Sequence, residues 1–221
     1  MVKIRYDAEK VKDFARIILD KYYAKSVGGR SGFHRSDAIA CPLRAYWRLT
    51  GEIEQEYSTQ SVGILCLGEL CHIALHKNFD AQEKIYNLEG IHITVDAIFN
   101  GQFPIETKST RKKIYKKDDL LDSWLEQLAI AMSVMKVNTG YLMILNIITF
   151  GLTVWEITMT EQERKVFLNS CKWQILTIAD ALKKKDPTIL SPKYKDCHWC
   201  SFKPSNRRKG CPYYKKIEEE K

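Results

Sequence analysis

"VDAIFNGQFPIETKS", residues 95–109, decides how the rest of the chain is read. Its first five residues read as the end of a strand, Asn100–Gly101 is a strong hairpin signal, and "PIETKS" returns as the partner strand. Yet Asp96, Glu106 and Lys108 stand where a half-buried strand calls for Val or Ile. Register decides whether they meet. A strict two-residue loop at Asn100–Gly101 pairs Phe99 with Gln102, sets Asp96 opposite Ile105 and turns the two carboxylates to opposite faces. A three-residue loop, or a single bulge, shifts the pairing by one and sets Asp96 opposite Glu106. Pro104, with no N–H to donate, suits such a bulge or an edge.

Two carboxylates in one half-buried site repel each other unless a cation lies between them. The natural partner is a hard divalent ion with oxygen ligands. Lys108 shares a strand face with Glu106 and brings an ammonium that can position water and offset charge developing on a phosphoryl group. The same residues also fit a charged edge strand decorated with a Glu–Lys pair. "GELCH", residues 68–72, lies in a largely apolar helical stretch and adds a second signal. Gly68 and His72 stand at i and i+4 on one helix face; the glycine permits close approach of a strand or ligand, and His72 offers a nitrogen to the same ion. The alternative is a histidine satisfied within the core.

Outward from this stretch the pattern is mixed. Val11, Phe14, Ala15, Ile18 and Tyr22 predict an amphipathic helix over 8–24. Ser36 is placed to cap a short helix through "DAIACPLRAYWRL", and 61–79 reads as a second, largely buried helix. Strands are expected at 84–88, 91–99 and 104–109, then a basic loop at 110–117 and a helix from Asp118 or Asp119 to about Val137. Residues 140–150 and 152–158 read as strands, and Thr160 with Glu163 forms a capping box for a helix to about Lys185. A proline-bearing linker and a cysteine-rich tail follow. This order predicts an α/β or α+β chain with a mixed sheet.

The chain has 221 residues, 45% hydrophobic and 28% charged, with a formal charge of +8. These are globular values, and the basic balance favours a polyanionic partner without specifying one. No apolar run reaches the ~18 residues of a membrane span. The charged N-terminus does not read as a secretory signal, so the seven cysteines point to the cytosol and to metal or redox ligation rather than disulfides. The tail "CHWCSFKPSNRRKGCPYYKK" carries Cys197, Cys200 and Cys211, one short of a tetrahedral set, and Cys41 in "ACPLRAYW" is the obvious fourth. Four cysteines serve zinc and an iron–sulfur cluster alike, and a zinc-ribbon interaction module stays open on these residues. Cys66, Cys71 and Cys171 lie in apolar helical patterns and read as core. Arg111, Lys112, Lys113, Lys116 and Lys117 form a basic segment just beyond Lys108, read either as a DNA-tracking loop or as a solvated face. A second basic group, Arg207, Arg208, Lys209, Lys215 and Lys216, accompanies tail aromatics that read as packing around the cysteine centre.

In this order along the chain, "ACPLRAYW", "GELCH", "VDAIF", "IETKS" and the terminal cysteines resemble the CRISPR-associated Cas-four nucleases, RecB-like members of the PD-(D/E)xK superfamily. The resemblance covers residues 34–215. It implies a restriction-endonuclease-like core with a mixed central sheet flanked by helices, joined to an iron–sulfur region that ties the N- and C-terminal segments together. It divides the chain into an N-terminal helical segment, 1–60, a RecB-like nuclease core, 61–186, and a cluster-bearing tail, 187–221. It makes His72, Asp96 and Glu106 ligands of a catalytic Mn2+ or Mg2+, Lys108 the catalytic lysine, and Gln127 a further member of the catalytic set. It makes Cys41, Cys197, Cys200 and Cys211 ligands of a [4Fe-4S] cluster, or of [2Fe-2S] as in some members. The implied activity is a metal-dependent DNA exonuclease acting on single-stranded ends, 5′ to 3′, cytoplasmic and without membrane association. Many members help insert CRISPR spacers beside the integrase proteins, and relatives occur in archaeal viruses. One departure stands out: the family continues QxxxY after the lysine, whereas here Gln127 is followed by Ala131. That favours a rival reading, a non-catalytic or weakly active DNA-binding subunit of an adaptation or viral complex; the intact His72, Asp96, Glu106 and Lys108 set speaks against it. Nothing in the sequence sets the oligomeric state.

Overall fold

Alternating burial along residues 91–97 marks the centre of the sheet: Ile93, Val95 and Ala97 are wholly buried while His92, Thr94 and Asp96 are partly exposed. The fold is seen in a computed structural model that describes residues 32–53, 59–77, 79, 81–193, 200, 202, 204 and 210–213. The helix expected over 8–24, Cys197 and the basic tail residues from Arg207 to Lys209, with Lys215 and Lys216, lie outside these residues. The strands are β1 (Phe33–His34), β2 (Ala81–Leu88), β3 (Ile91–Phe99), β4 (Phe103–Thr110), β5 (Thr139–Asn146) and β6 (Leu152–Thr158). The helices are α1 (Arg35–Ile39), α2 (Pro42–Thr50), α3 (Thr59–His76), α4 (Asp122–Met135) and α5 (Glu161–Lys184).

The strands form one mixed sheet. β2 pairs antiparallel along one edge of β3, with Leu88 opposite Ile91. The other edge of β3 is shared: β1 lies parallel beside its start, and β4 antiparallel beside its end. β4 and β5 run parallel and therefore need a crossover, which α4 supplies; β6 closes the sheet antiparallel to β5. Adjacent residues of β5 point to opposite faces. Leu142 and Ile144 pack under Leu128 and Met132 of α4, while Met143 meets Leu75 of α3 through the cluster around Ala97 and Ile105. A third core joins α1, α2 and α5 to Ile91 and Ile93. This is the expected mixed α/β architecture, a mixed central sheet flanked by helices. Among the described residues, no helix is long and apolar enough to cross a membrane.

Besides smaller shifts, α3 at Thr59–His76 against 61–79 and β2 starting at Ala81 rather than 84, three boundaries differ from the sequence reading for a local reason. The helix expected through 37–49 is two helices, with His34 rather than Ser36 at the first N-cap. A residue before proline is pushed out of helical geometry, so the chain breaks at Ala40–Cys41 and Pro42 opens α2 at its first position. The helix expected from Asp118 begins at Asp122, because Lys117–Asp119 folds as a 3-10 turn. β5 ends at Asn146 rather than 150: the Asn146 side-chain oxygen accepts the N–H groups of Ile148 and Thr149, both at 2.9 Å, and so starts a turn.

Candidate active site

Phe99 pairs with Phe103, so the hairpin carries one residue more than a strict two-residue loop. Asn100 and Gly101 both take positive φ, 50° and 67°, and Gln102 donates its N–H to the Phe99 carbonyl at 3.2 Å. This is the shifted register, and continuing it places Asp96 opposite Glu106. The ladder from β3 to β4 covers Phe99 to Ala97, and the ladder to β1 covers His92 and Ile91. Asp96 thus sits where that edge of the sheet opens. Beyond the last pair, the Thr107 N–H is satisfied by the Asp96 carboxylate at 2.9 Å instead of by a strand carbonyl.

Glu106 is 1% exposed, and cations on two sides hold its charge. Lys108 Nζ donates to Glu106 Oε1 at 2.5 Å and to Gln127 Oε1 at 2.8 Å. Arg35 Nη1 lies 2.9 Å from Glu106 Oε2 and donates to the Gln127 carbonyl at 2.9 Å. Burial pushes the Glu106 pKa up, but Arg35 and Lys108 outweigh it, and the carboxyl ends below its ordinary value. Asp96 goes the other way: burial, then the Glu106 charge, push its carboxyl up to about 7, against Lys108, Arg35 and the Thr107 N–H.

α3 lies over the same opening. One ligand atom from each of His72, His76 and Asp96 falls within 4.8 Å of the others. His76 is 4% exposed and its Nε2 lies 3.0 Å from Thr107 Oγ1. Burial, then the neighbouring His72, bring the His76 pKa down to about 4. Burial, then Lys108, also lower that of His72, opposed by Glu106 and Glu69. Both rings therefore stay neutral near pH 7, the form that ligates a metal. Gly68 makes the approach of helix to strand possible: a Cβ there would stand 3.2 Å from Ser109 Oγ on β4.

Sequence reasoning missed Arg35 and His76. For His76 a signal existed, because "HIALH" spaces two histidines at i and i+4 on one helix face. For Arg35 none existed; a buried arginine looks like a surface one until the fold is known. Ala131, on α4, is 2% exposed and packs with Val95 and Ile98 of β3, so this position is core.

The basic loop follows β4 directly, and Arg111, Lys112, Lys113, Lys116 and Lys117 are all exposed. Of the four tail and N-terminal cysteines, Cys41, Cys200 and Cys211 are described, and all three meet in the core around Tyr46, Trp47 and Phe202. Each sulfur accepts an N–H: Cys41 from Lys193 at 3.4 Å, Cys200 from Phe202 at 3.4 Å, and Cys211 from Trp47 Nε1 at 3.3 Å. Burial raises the Cys200 thiol, with Cys41 and Cys211 adding to it. Phe202 is wholly buried beside them.

No family model matches the chain, and no curated protein matches it. Among solved structures, the crystal structure of SSO0001 is similar with a TM-score of 0.56 and 18% identity, over 87% of this chain and 94% of that one. That likeness is one of fold. An alkaline exonuclease from Laribacter hongkongensis, LHK-Exo, superposes at a TM-score of 0.47 with 9% identity, over 75% of this chain and 95% of that one; no argument rests on it.

The donors fit a divalent cation. Two neutral imidazoles and a carboxylate converge, and Glu106 Oε2 is buried without a hydrogen bond among the described residues although Arg35 stands beside it. The cysteine centre fits a cluster in the same sense, with the buried Cys41 and the half-buried Cys200 and Cys211 gathered in one core and each sulfur given an N–H, the contact that tunes cluster sulfurs.

Proposed function

We propose that the chain is a metal-dependent nuclease, a DNA exonuclease acting on single-stranded ends in the 5′ to 3′ direction. The observation that carries the reading is the convergence of Asp96, Glu106 and Lys108 at the opening between β3 and β4, beneath the buried His76 and the half-buried His72. His72, Asp96 and Glu106 would hold a Mn2+ or Mg2+, with His76 beside them. Such an ion supplies Lewis acidity to a phosphoryl oxygen and lowers the pKa of a water it binds.

The protein's own groups do the rest. Lys108, steadied by Glu106 and Gln127, presents its ammonium toward the opening, where it orients the attacking water and offsets charge on the phosphoryl oxygens. Arg35 keeps Glu106 ionised and fixed from behind. The exposed basic loop beyond β4 tracks the phosphates of the strand. Cys41, Cys200 and Cys211 would hold an iron–sulfur cluster with Cys197, [4Fe-4S] in the first instance and [2Fe-2S] as the alternative, in a structural role. A place in CRISPR spacer acquisition, beside integrase proteins, is part of the same proposal.

The test is cleavage of end-labelled single-stranded DNA by anaerobically purified protein with and without Mn2+. Metal-dependent loss of label from one end supports the reading. Tight DNA binding with no cleavage supports the second one, a non-catalytic or weakly active DNA-binding subunit, which Ala131 in place of the family's tyrosine favours.

A further inference from the structure

Among the described residues, the two most exposed large apolar side chains are aromatic, Phe150 at 77% and Tyr115 at 76%. Neither sits on a loose segment. Tyr115 rises from the basic loop, whose Ile114 is buried in the core under α4 and whose Tyr115 and Lys116 N–H groups are held by Asp119 at 2.9 and 3.1 Å. Phe150 ends the turn after β5, which Asn146 builds. The same Asn146 donates to the Lys112 carbonyl at 3.1 Å, and Ile147 donates to the Thr110 carbonyl at 2.9 Å. One buried asparagine therefore mounts the aromatic turn on the basic loop. The loop begins about two residues beyond Lys108, roughly 7 Å along an extended strand.

Phe150 has φ 55°, a region that bulky side chains avoid and glycine occupies freely. The residue costs stability where it stands, and its ring packs on little. Strain retained at an exposed ring points to a use for that ring. Cations stand at the Tyr115 ring, with the Asp119 carboxylate held below on the loop backbone: Lys112 and Lys113 are exposed, and Lys113 Nζ stands 6.0 Å from the ring centre. Exposed aromatics among cations match unpaired nucleotides, whose bases stack and whose phosphates pair with lysine.

We infer that Tyr115 and Phe150 form a base-stacking platform for a single-stranded polynucleotide at the Lys108 end of β4. The inference rests on the nuclease reading and adds to it a second binding element, on a turn that charge alone would not select. It makes the site selective for unpaired strands, because bases stacked within a duplex offer no face to either ring.

The experiment measures affinity for a fluorescein-labelled oligodeoxythymidine by anisotropy, without divalent metal, at several salt concentrations. Phe150→Gly should bind about tenfold more weakly, the loss that one stacking aromatic carries, with the salt dependence unchanged. It should also melt at a higher temperature than the unaltered protein, because glycine relieves the positive φ. Tyr115→Ala should lose a similar factor and Tyr115→Phe should not. Lys113→Ala should instead flatten the salt dependence. Unchanged affinity of Phe150→Gly and Tyr115→Ala in a protein that binds and cleaves DNA overturns the platform and leaves the nuclease reading standing. A change of oligomeric state without a change of affinity also overturns it, making the patch a contact between copies. If the unaltered protein binds no oligonucleotide, both readings fail together.

Discussion

Glu106 keeps its charge at 1% exposure because Arg35 and Lys108 hold it from two sides. Removing one cation should therefore be felt as stability. Arg35→Met is expected to cost about 2–3 kcal/mol in urea unfolding near neutral pH, below the ~3–5 kcal/mol of a fully orphaned buried charge because Lys108 remains. A loss within about 0.5 kcal/mol, the scale of an ordinary surface change, would show that the guanidinium does not support the carboxylate. Lys108→Ala should act on turnover instead, lowering single-turnover cleavage by about 100-fold or more while sparing DNA affinity. Cleavage near the unaltered rate at saturating Mn2+ and DNA would falsify its catalytic role. Proton linkage belongs to the same residues. With the metal absent, Asp96 has a raised pKa, about 7 against 3.8, so its contribution to stability is present at low pH and is lost as pH rises through that window. His76 has a lowered pKa, about 4 against 6.5, so its contribution is present at high pH and is lost as pH falls through that window. The two slopes oppose each other where the windows overlap. A metal held by Asp96 must displace its proton, so Mn2+ affinity followed by calorimetry should tighten with pH up to about 7 and then level off. A flat profile would remove Asp96 from the ligand set. What was legible at this scale was the break in pattern: Asp96, Glu106 and Lys108 stand where apolar residues belong. Arg35 was not legible, because its role exists only once α1 has been laid beside α4.

The elements themselves were largely readable, since hydrophobic period and capping chemistry are local. Thr160 and Glu163 form the expected capping box at the start of α5, with the Glu163 N–H on Thr160 Oγ1 at 3.2 Å. The hairpin register could be reduced to two choices but not decided, because whether an Asn-Gly turn carries a bulge depends on what the strands pack against. The ends of β5 and α4 were misplaced where a side chain, Asn146 or Asp119, captured backbone N–H groups that a strand or helix would have used. Gly140 shows how tightly the elements then fit. A Cβ at this position of β5 would stand 2.9 Å from Leu128 Cδ1 and 3.0 Å from Met132 Cγ on α4. Both side chains are wholly buried and have little room to yield. Gly140→Ala should destabilise by about 1–2 kcal/mol, the overpacking cost less a gain of ~0.4–1 kcal/mol from a stiffer unfolded chain. Since the helix carries Gln127 toward Lys108, any shift of α4 should reach cleavage as well as melting temperature.

At the scale of the whole molecule, the cysteines join segments far apart in sequence. Cys41 is the N-cap of α2 and lies in one core with Cys200 and Cys211, beside Trp47 and the wholly buried Phe202. The sequence made Cys41 a candidate by counting, because three tail cysteines leave one ligand missing; it gave no distance between the two ends of the chain. A centre bound there would draw its binding energy from folding the tail onto α2, so metal content and stability should move together. Cys41→Ser, purified without oxygen, should lose iron and visible absorbance and melt markedly lower. Cys171→Ser supplies the control: that thiol is also buried, on α5, and burial first, then the Asp37 and Glu126 charges, raise its pKa to about 11. It should change stability modestly and leave iron content intact. Equal iron and equal melting temperature in Cys41→Ser and the unaltered protein would detach Cys41 from any centre. Zinc in place of iron, with the same fall in stability, would keep the ligand assignment and change the metal. The buried Trp47 provides a further readout, because its indole N–H already points at Cys211. Loss of the centre should alter its fluorescence, since Trp47 lies in the same core as Cys41 and Cys211.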